Sequence, residues 1–379
     1  MRNNILFTAL IFLASIPLAE AQDKGFLKRY FNKLINDSSN IAEPQFLIYP
    51  TLAYAPETSW EIGFSSLYVF YAKKDTANRL SEINGFSFFT LEGQYGLWFD
   101  HAIYSDKEDW FFLGKLRYQR FPMYFYGIGP ETGQNYLATV DSRQLLVKER
   151  VLRKLRRDFY LGVELDFNHF GSVDFEPKES GHHIELPIGG EGSTNIGLGM
   201  GLVYDNRHNV LNVRKGLFSE LAFLKYAPFW KSKYEFTSII SDNRFFRPMG
   251  NHNVIAAQLY GQFNSGNVPF NMMSALGGES IMRGYYLGRY RDKNYLASQL
   301  EYRFLPLPLG FTNRIGAAIF GGAGTVFPNF ENLSLDKVVW SAGAGLRFLL
   351  FPKKDIYTRF DAAFTKEGSG FYIYIGEAF

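Results

Sequence analysis

From Gln45 to the C-terminus, large apolar residues return at every second position, and this period limits the fold more than any other property of the chain. Over Trp60–Phe70 the even positions Trp60, Ile62, Phe64, Tyr68 and Phe70 are large and apolar, with Ser66 the exception, while the odd positions begin Glu61, Gly63, Ser65. Further on, Leu296, Leu300, Tyr302 and Phe304 oppose Lys293, Gln299, Glu301 and Arg303. Ile356, Phe360 and Phe364 oppose Tyr357, Arg359 and Asp361 in the same way. Successive side chains of a strand point to opposite faces, so each segment carries one apolar and one polar face. After Gln22 no apolar run reaches the roughly 18 residues a spanning helix needs. Mean hydropathy is only −0.14 although 46% of residues are hydrophobic. That combination fits a large soluble β-protein or a membrane barrel, whose apolar and polar residues alternate and cancel.

The connections separate these two folds. The alternating segments fall near 45–54, 60–72, 85–93, 95–104, 109–120, 138–152, 157–168, 195–205, 216–227, 233–244, 251–263, 293–305, 313–325, 338–350, 355–364 and 370–379. The pattern predicts sixteen strands, an even number, each of about 9–11 residues or more, as a tilted spanning strand requires. Every second connection is fairly short and rich in Pro, Gly or charge: Ser105–Glu108, Lys154–Arg156, Phe245–Gly250, Pro306–Thr312 and Phe351–Lys354. The long ones, Phe121–Leu137, Phe170–Thr194 and Asn264–Asp292, belong to the other class. A barrel with short periplasmic turns and long outer loops produces this asymmetry, and a soluble sandwich has no reason to. The expected fold is all-β: a 16-stranded antiparallel transmembrane β-barrel over residues 45–379, preceded by a short N-terminal amphipathic helix. At about 150 residues per domain, 379 residues would suggest two or three domains. A single barrel spends that length on circumference instead.

Residues 1–21 read as a secretory signal: Arg2, an apolar run from Ile5 to Leu18, and Ala19-Glu20-Ala21 before Gln22. Removing them takes away one basic and one acidic residue, so the net charge stays at +3. Residues 22–44 form a separate segment. In it Phe26, Leu27, Tyr30, Phe31, Leu34 and Ile35 recur at helical spacing opposite Lys28, Arg29 and Lys33. Such a helix packs on the protein's own surface, inside a barrel mouth, or on the membrane interface. A charge this near neutral gives no reason to expect nucleic acid as a partner. With no Cys in the chain, thiolate metal sites, disulfides and Cys nucleophiles are excluded. The six His residues include one adjacent pair, His182-His183, near Glu179 and Glu185, without the spacings of known metal sites. No catalytic residue, metal or cofactor is expected.

The longest connection carries Leu276-Gly277-Gly278-Glu279-Ser280-Ile281-Met282-Arg283-Gly284-Tyr285-Tyr286, then Gly288-Arg289-Tyr290-Arg291-Asp292, with Gln299-Leu300-Glu301-Tyr302-Arg303 on the next strand. This resembles the hydrophobic-Arg-Gly-aromatic motif of the BamA/TamA superfamily, whose sixth outer loop folds back into a sixteen-stranded barrel. The resemblance extends over Phe320–Phe327 and Gly343–Arg347 to Phe379, and is looser at Tyr204-Asp205-Asn206-Arg207-His208, where His208 stands at a position at which Asp is common. An Arg at the tip of a loop folded into a lumen leaves bulk water and needs a carboxylate. Glu301 points inward by alternation and matches the family's acidic partner of Arg283. The position matching the family's second acid is Gly322, also inward, which leaves inward Asp361 as the accessory acid. Gly284 permits a tight turn, and Tyr285 or Tyr286 can pack on the lumen wall. The alternating run to the terminal Phe379 is similar to the C-terminal insertion signal of outer-membrane barrels, although Glu377 stands where an apolar residue is usual.

The resemblance implies a non-enzymatic protein in the outer membrane of a double-membrane bacterium, assisting insertion or translocation of proteins, or lipid remodelling. Family machines carry periplasmic POTRA domains ahead of the barrel, and 22–44 is too short for one. The expected partners are therefore outer-membrane lipid and a separate periplasmic or outer-membrane protein. Patatin-like passengers need Gly-x-Ser-x-Gly, and that string is absent. Pro50 on the first strand lacks a donor and Gly376 loosens the last, so a weak seam between strands one and sixteen is expected to open laterally. The alternative is a passive pore or a structural subunit of an outer-membrane complex, with the Arg283 loop as its plug.

Overall fold

The computed structural model describes residues 40–55, 59–91, 93–179, 184–207, 209–250 and 252–379. The expected signal peptide, most of the amphipathic segment, and His182, His183 and His208 lie outside the described residues. Among the described residues nineteen strands follow one another: β1 (Gln45–Ala55), β2 (Ser59–Tyr71), β3 (Leu80–Thr90), β4 (Tyr95–Tyr104), β5 (Trp110–Arg120), β6 (Met123–Phe125), β7 (Ala138–Arg156), β8 (Phe159–Pro177), β9 (Ser193–Asp205) and β10 (Gly216–Tyr226). After them come β11 (Phe236–Met249), β12 (Asn253–Gly266), β13 (Ser274–Leu276), β14 (Tyr290–Asp292), β15 (Asn294–Phe304), β16 (Ile315–Phe327), β17 (Val339–Phe351), β18 (Ile356–Thr365) and β19 (Gly368–Ile375). Among the described residues there is no α-helix, only short 3-10 turns.

Each long strand pairs antiparallel with the next. The ladder runs from β1–β2 to β5–β7, on through β12–β15, and ends at β18–β19. The strands beyond the expected sixteen are three-residue pieces inside long loops. β6 adds to β7, and β13 pairs with β14 in a small separate hairpin. Several boundaries also differ from the sequence reading. β3 begins at Leu80, because Ser81 and Glu82 continue the β2 pairing, and β7 and β8 extend well past the expected ends. The last strand stops at Ile375.

The two faces of the sheet are inverted relative to a soluble core. Leu300 is 57% exposed, whereas its neighbour Glu301 is fully buried. Phe64, Leu221, Ile319 and Leu346 are exposed on one face, while Arg150, Glu164, Arg303 and Arg347 are buried on the other. Apolar outside and charged inside is the arrangement of a barrel wall in lipid. The sheet curls far enough for its ends to approach. Lys354, in the turn between β17 and β18, donates to the carbonyls of Ile41 (2.6 Å) and Glu43 (3.3 Å), just ahead of β1. The expected closure by strand pairing is not present: among the described residues no ladder joins β1 to β19.

Candidate functional site

The connection between β12 and β15 folds inward as a hairpin braced by β13 and β14. Gly277, Gly278, Gly284 and Gly288 have positive φ, and so does Met282 (φ 56°) at the tip. Gly284 is required on two counts. Its φ is +99°, and a Cβ there would lie 2.7 Å from the Thr365 methyl of β18. Its N–H donates to the Tyr372 hydroxyl (2.9 Å). Tyr285 is buried with Leu276, Met282 and Tyr290. The tip is held from both sides, by Gln299 donating to Ser280 O (2.9 Å) and Arg359 donating to Glu279 O (3.0 Å).

Arg283 is fully buried. Its Nη2 donates to Glu301 on β15 (3.0 Å) and its Nη1 to Asp361 on β18 (2.5 Å). The two acids stand on strands separated by β16 and β17, and each intervening strand contributes. Phe320 of β16 lies 3.5 Å from the guanidinium carbon to its ring centroid. Arg347 of β17 bridges Glu301 (2.7 Å) and Asp361 (2.6 Å). Arg359 adds a contact to Asp361 (2.8 Å). At Gly322, the position that matches the family's second acid, an added Cβ would already lie 3.4 Å from the Met282 sulfur, so a longer side chain there would meet the loop tip. Sequence reasoning singled out Arg283, Glu301 and Asp361, and the fold brings them together. It missed Phe320, Arg347 and Arg359, although alternation places all three on the inward face.

The network continues to the end of the chain. Gly376 (φ +85°) turns the backbone out of β19, and its N–H donates to Tyr357 O (2.8 Å). Glu377 then meets Arg347 (3.0 Å) and Arg303 (3.6 Å). Phe379 is buried against Val213, Phe246 and Ala256. Four arginines (283, 303, 347, 359) thus face three carboxylates (301, 361, 377) inside the barrel. The strand expected through Phe379 ends early because these two inward anchors override its alternation. Val213 belongs to the connection between β9 and β10, whose residues 209–215 cross the mouth of the barrel as a strap. Leu211 O accepts from Glu377 N–H (2.9 Å), Asn209 donates to Lys354 O (2.8 Å), and Arg214 donates to Asp355 (2.5 and 2.8 Å) and Leu305 O (2.7 Å). The hydrogen bond to Asp355 holds the Arg214 guanidinium above its ordinary pKa. At the root of the strap Arg207 pairs with Asp205 (2.9 Å), and Tyr104 donates to the same carboxylate (2.9 Å). Pro50 sits within β1, opposite Phe64 of β2 and exposed.

An inward loop tipped by a buried Arg, inside an antiparallel wall of strands with an apolar outer face, is what the sequence resemblance implies. The profile of the Omp85 superfamily domain matches residues 92–379. The chain belongs to the Omp85 superfamily. Among solved structures this Omp85 chain is similar to BamA from Haemophilus ducreyi lacking POTRA domains 1–3, with a TM-score of 0.55 and 13% identity over 88% of this chain and 69% of that one. At that identity the likeness concerns the fold. Two Pseudomonas aeruginosa proteins, OccK3 (OpdO) and OccK10 (OpdN), match 88% of this chain with TM-scores of 0.32 and 0.33 and identities of 12% and 9%, covering 90% and 96% of their own chains. No curated protein matches the sequence. Family and fold point to the bacterial outer membrane and support an insertase or translocator type of role.

Proposed function

We propose that this Omp85 barrel assists the insertion or translocation of polypeptides at the outer membrane, through a seam between β1 and β19 that opens laterally. The observation that carries the reading is the diversion of residues 376–379 into the lumen, which shortens the pairing edge of β19 next to the Pro50-bearing β1. In the closed state the long strands form a sixteen-stranded barrel, with Pro50 and Gly376 as weak points of its last ladder. The Arg283-Gly284-Tyr285 tip, clamped by Glu301 and Asp361, braces the β15–β18 wall while the opposite edge moves. Phe379 serves as the insertion signal when the barrel itself is assembled. Residues 1–21 direct export, and residues 22–44 form an amphipathic segment ahead of the barrel. The role is non-enzymatic and needs no cofactor. The partners are outer-membrane lipid and a separate periplasmic or outer-membrane protein that delivers the client.

Because the chain has no native Cys, the seam can be locked cleanly. Cysteine pairs placed one in Gln45–Ala55 and one in Gly368–Ile375 are expected to abolish client insertion into proteoliposomes when oxidised, with activity restored by reduction. Full activity in the oxidised, locked protein would overturn the reading.

A further inference from the structure

The outward wall holds an ionisable pair where a barrel has least reason to place one. His101 of β4, Gly114 of β5 and Glu149 of β7 stand in one row across three neighbouring strands. His101 Nε2 lies 3.3 Å from Glu149 Oε1, so the two side chains meet over the intervening glycine. A Cβ on Gly114 would come within 2.3 Å of both of them. Their face is the apolar one: Leu97, Phe99, Leu116 and Val163 are exposed beside them. On β5, Trp110 and Tyr118 point outward four residues to either side of Gly114, and both are exposed. Aromatic girdles mark the two edges of the lipid-facing band. At about 3.4 Å per residue the two rings are about 27 Å apart along the strand, and the pair lies midway between them.

Hydrocarbon offers no hydrogen-bonding partner, so an ionisable residue at this depth marks a functional site. His101 and Glu149 satisfy only one atom each. Nδ1 of the imidazole and Oε2 of the carboxylate have no hydrogen bond among the described residues, and the side chains remain 25% and 36% exposed. Whatever covers the row must bring a donor and an acceptor at the spacing of these two groups. A second copy rotated by a two-fold axis over Gly114 does so, setting its His101 against this Glu149 and its Glu149 against this His101. The glycine keeps the row low, and small residues beside polar ones are the combination that holds interfaces together inside membranes.

We propose that β4, β5 and β7 form a homodimer interface within the membrane, centred on Gly114 and joined by His101 and Glu149. The proposal rests on the outward face lying in lipid and is independent of seam opening. The test uses the full chain in native outer membranes, with a single cysteine at Leu116→Cys beside the row or Leu221→Cys on β10. Oxidation is expected to give a covalent dimer at 116 and none at 221. Adding His101→Leu and Glu149→Leu, which keep the outer face apolar, should lower dimer yield at 116 by at least about tenfold. Native mass spectrometry from nanodiscs should show a dimer that becomes a monomer in the double Leu variant. A monomer throughout, equal cross-linking at both positions, or a cross-link from 116 to a different protein would each overturn the proposal.

Discussion

Arg283 sits where a lone guanidinium would be prohibitively costly, and what makes it tolerable is that both of its acids are shared. Glu301 also receives Arg347, and Asp361 receives Arg347 and Arg359. Arg347 touches all three carboxylates of the cluster, since it also meets Glu377. Removing a residue from a buried ionic network costs most when it strands the opposite charge. Arg347→Met should therefore destabilise the barrel by about 3–5 kcal/mol, and Arg283→Met by less, because its acids keep other arginines. The temperature at which the folded band is lost on a semi-native gel checks that order; equal losses would show that the charges act independently. Glu301 was legible beforehand because the loop motif and the alternation both pointed to it. Phe320 and Arg347 were not, because period two assigns a residue to a face but gives no height along the barrel. Only the register reveals that Phe320 stands opposite Glu301 and Gly343.

Among the elements, the end of β19 departs furthest from its local pattern. The run Phe371-Tyr372-Ile373-Tyr374-Ile375 alternates as a strand should, and the pairing with β18 follows it to Ile375. Beyond that, Gly376 permits a left-handed turn and the Arg347–Arg303 pair offers Glu377 a better environment than the lipid-side edge. Tertiary electrostatics override the pattern there, and a reading of single strands has no access to them. The strap between β9 and β10 was invisible for the same reason. Its Asn and Arg residues look like ordinary turn residues until the opposite turns are placed. Glu377→Leu removes the inward anchor. It is expected to raise the rate of disulfide formation between cysteines in β1 and β19 several-fold, by about a 1–2 kcal/mol shift toward the extended end. An unchanged rate would mean that Phe379 alone holds the turn.

Across the whole molecule, the lumen is occupied at both ends. The hairpin of residues 267–293 reaches in from the loop end. Its root is tied to the loop 121–137 by Gly129 N–H donating to Arg291 O (2.7 Å) and by Arg289 donating to Thr132 (2.8 Å). The strap spans the turn end. Such a barrel should conduct little in a planar bilayer. Arg283→Ala combined with Arg214→Ala, which loosens both obstructions, should raise its conductance at least severalfold; a large conductance in the unmodified protein would favour the passive-pore reading. The length that suggested several domains is absorbed by one wall of strands, and the alternation made that visible from the outset. What alternation could not foresee is where the wall fails to close. Spin labels on Phe46→Cys and Ile373→Cys, outward residues at the same end of β1 and β19, measure that gap directly in outer-membrane lipid. A seam that opens gives a broad distance distribution, longer than the roughly 5 Å Cα spacing of zipped neighbours allows. A single narrow distribution matching a fully laced pair would contradict it.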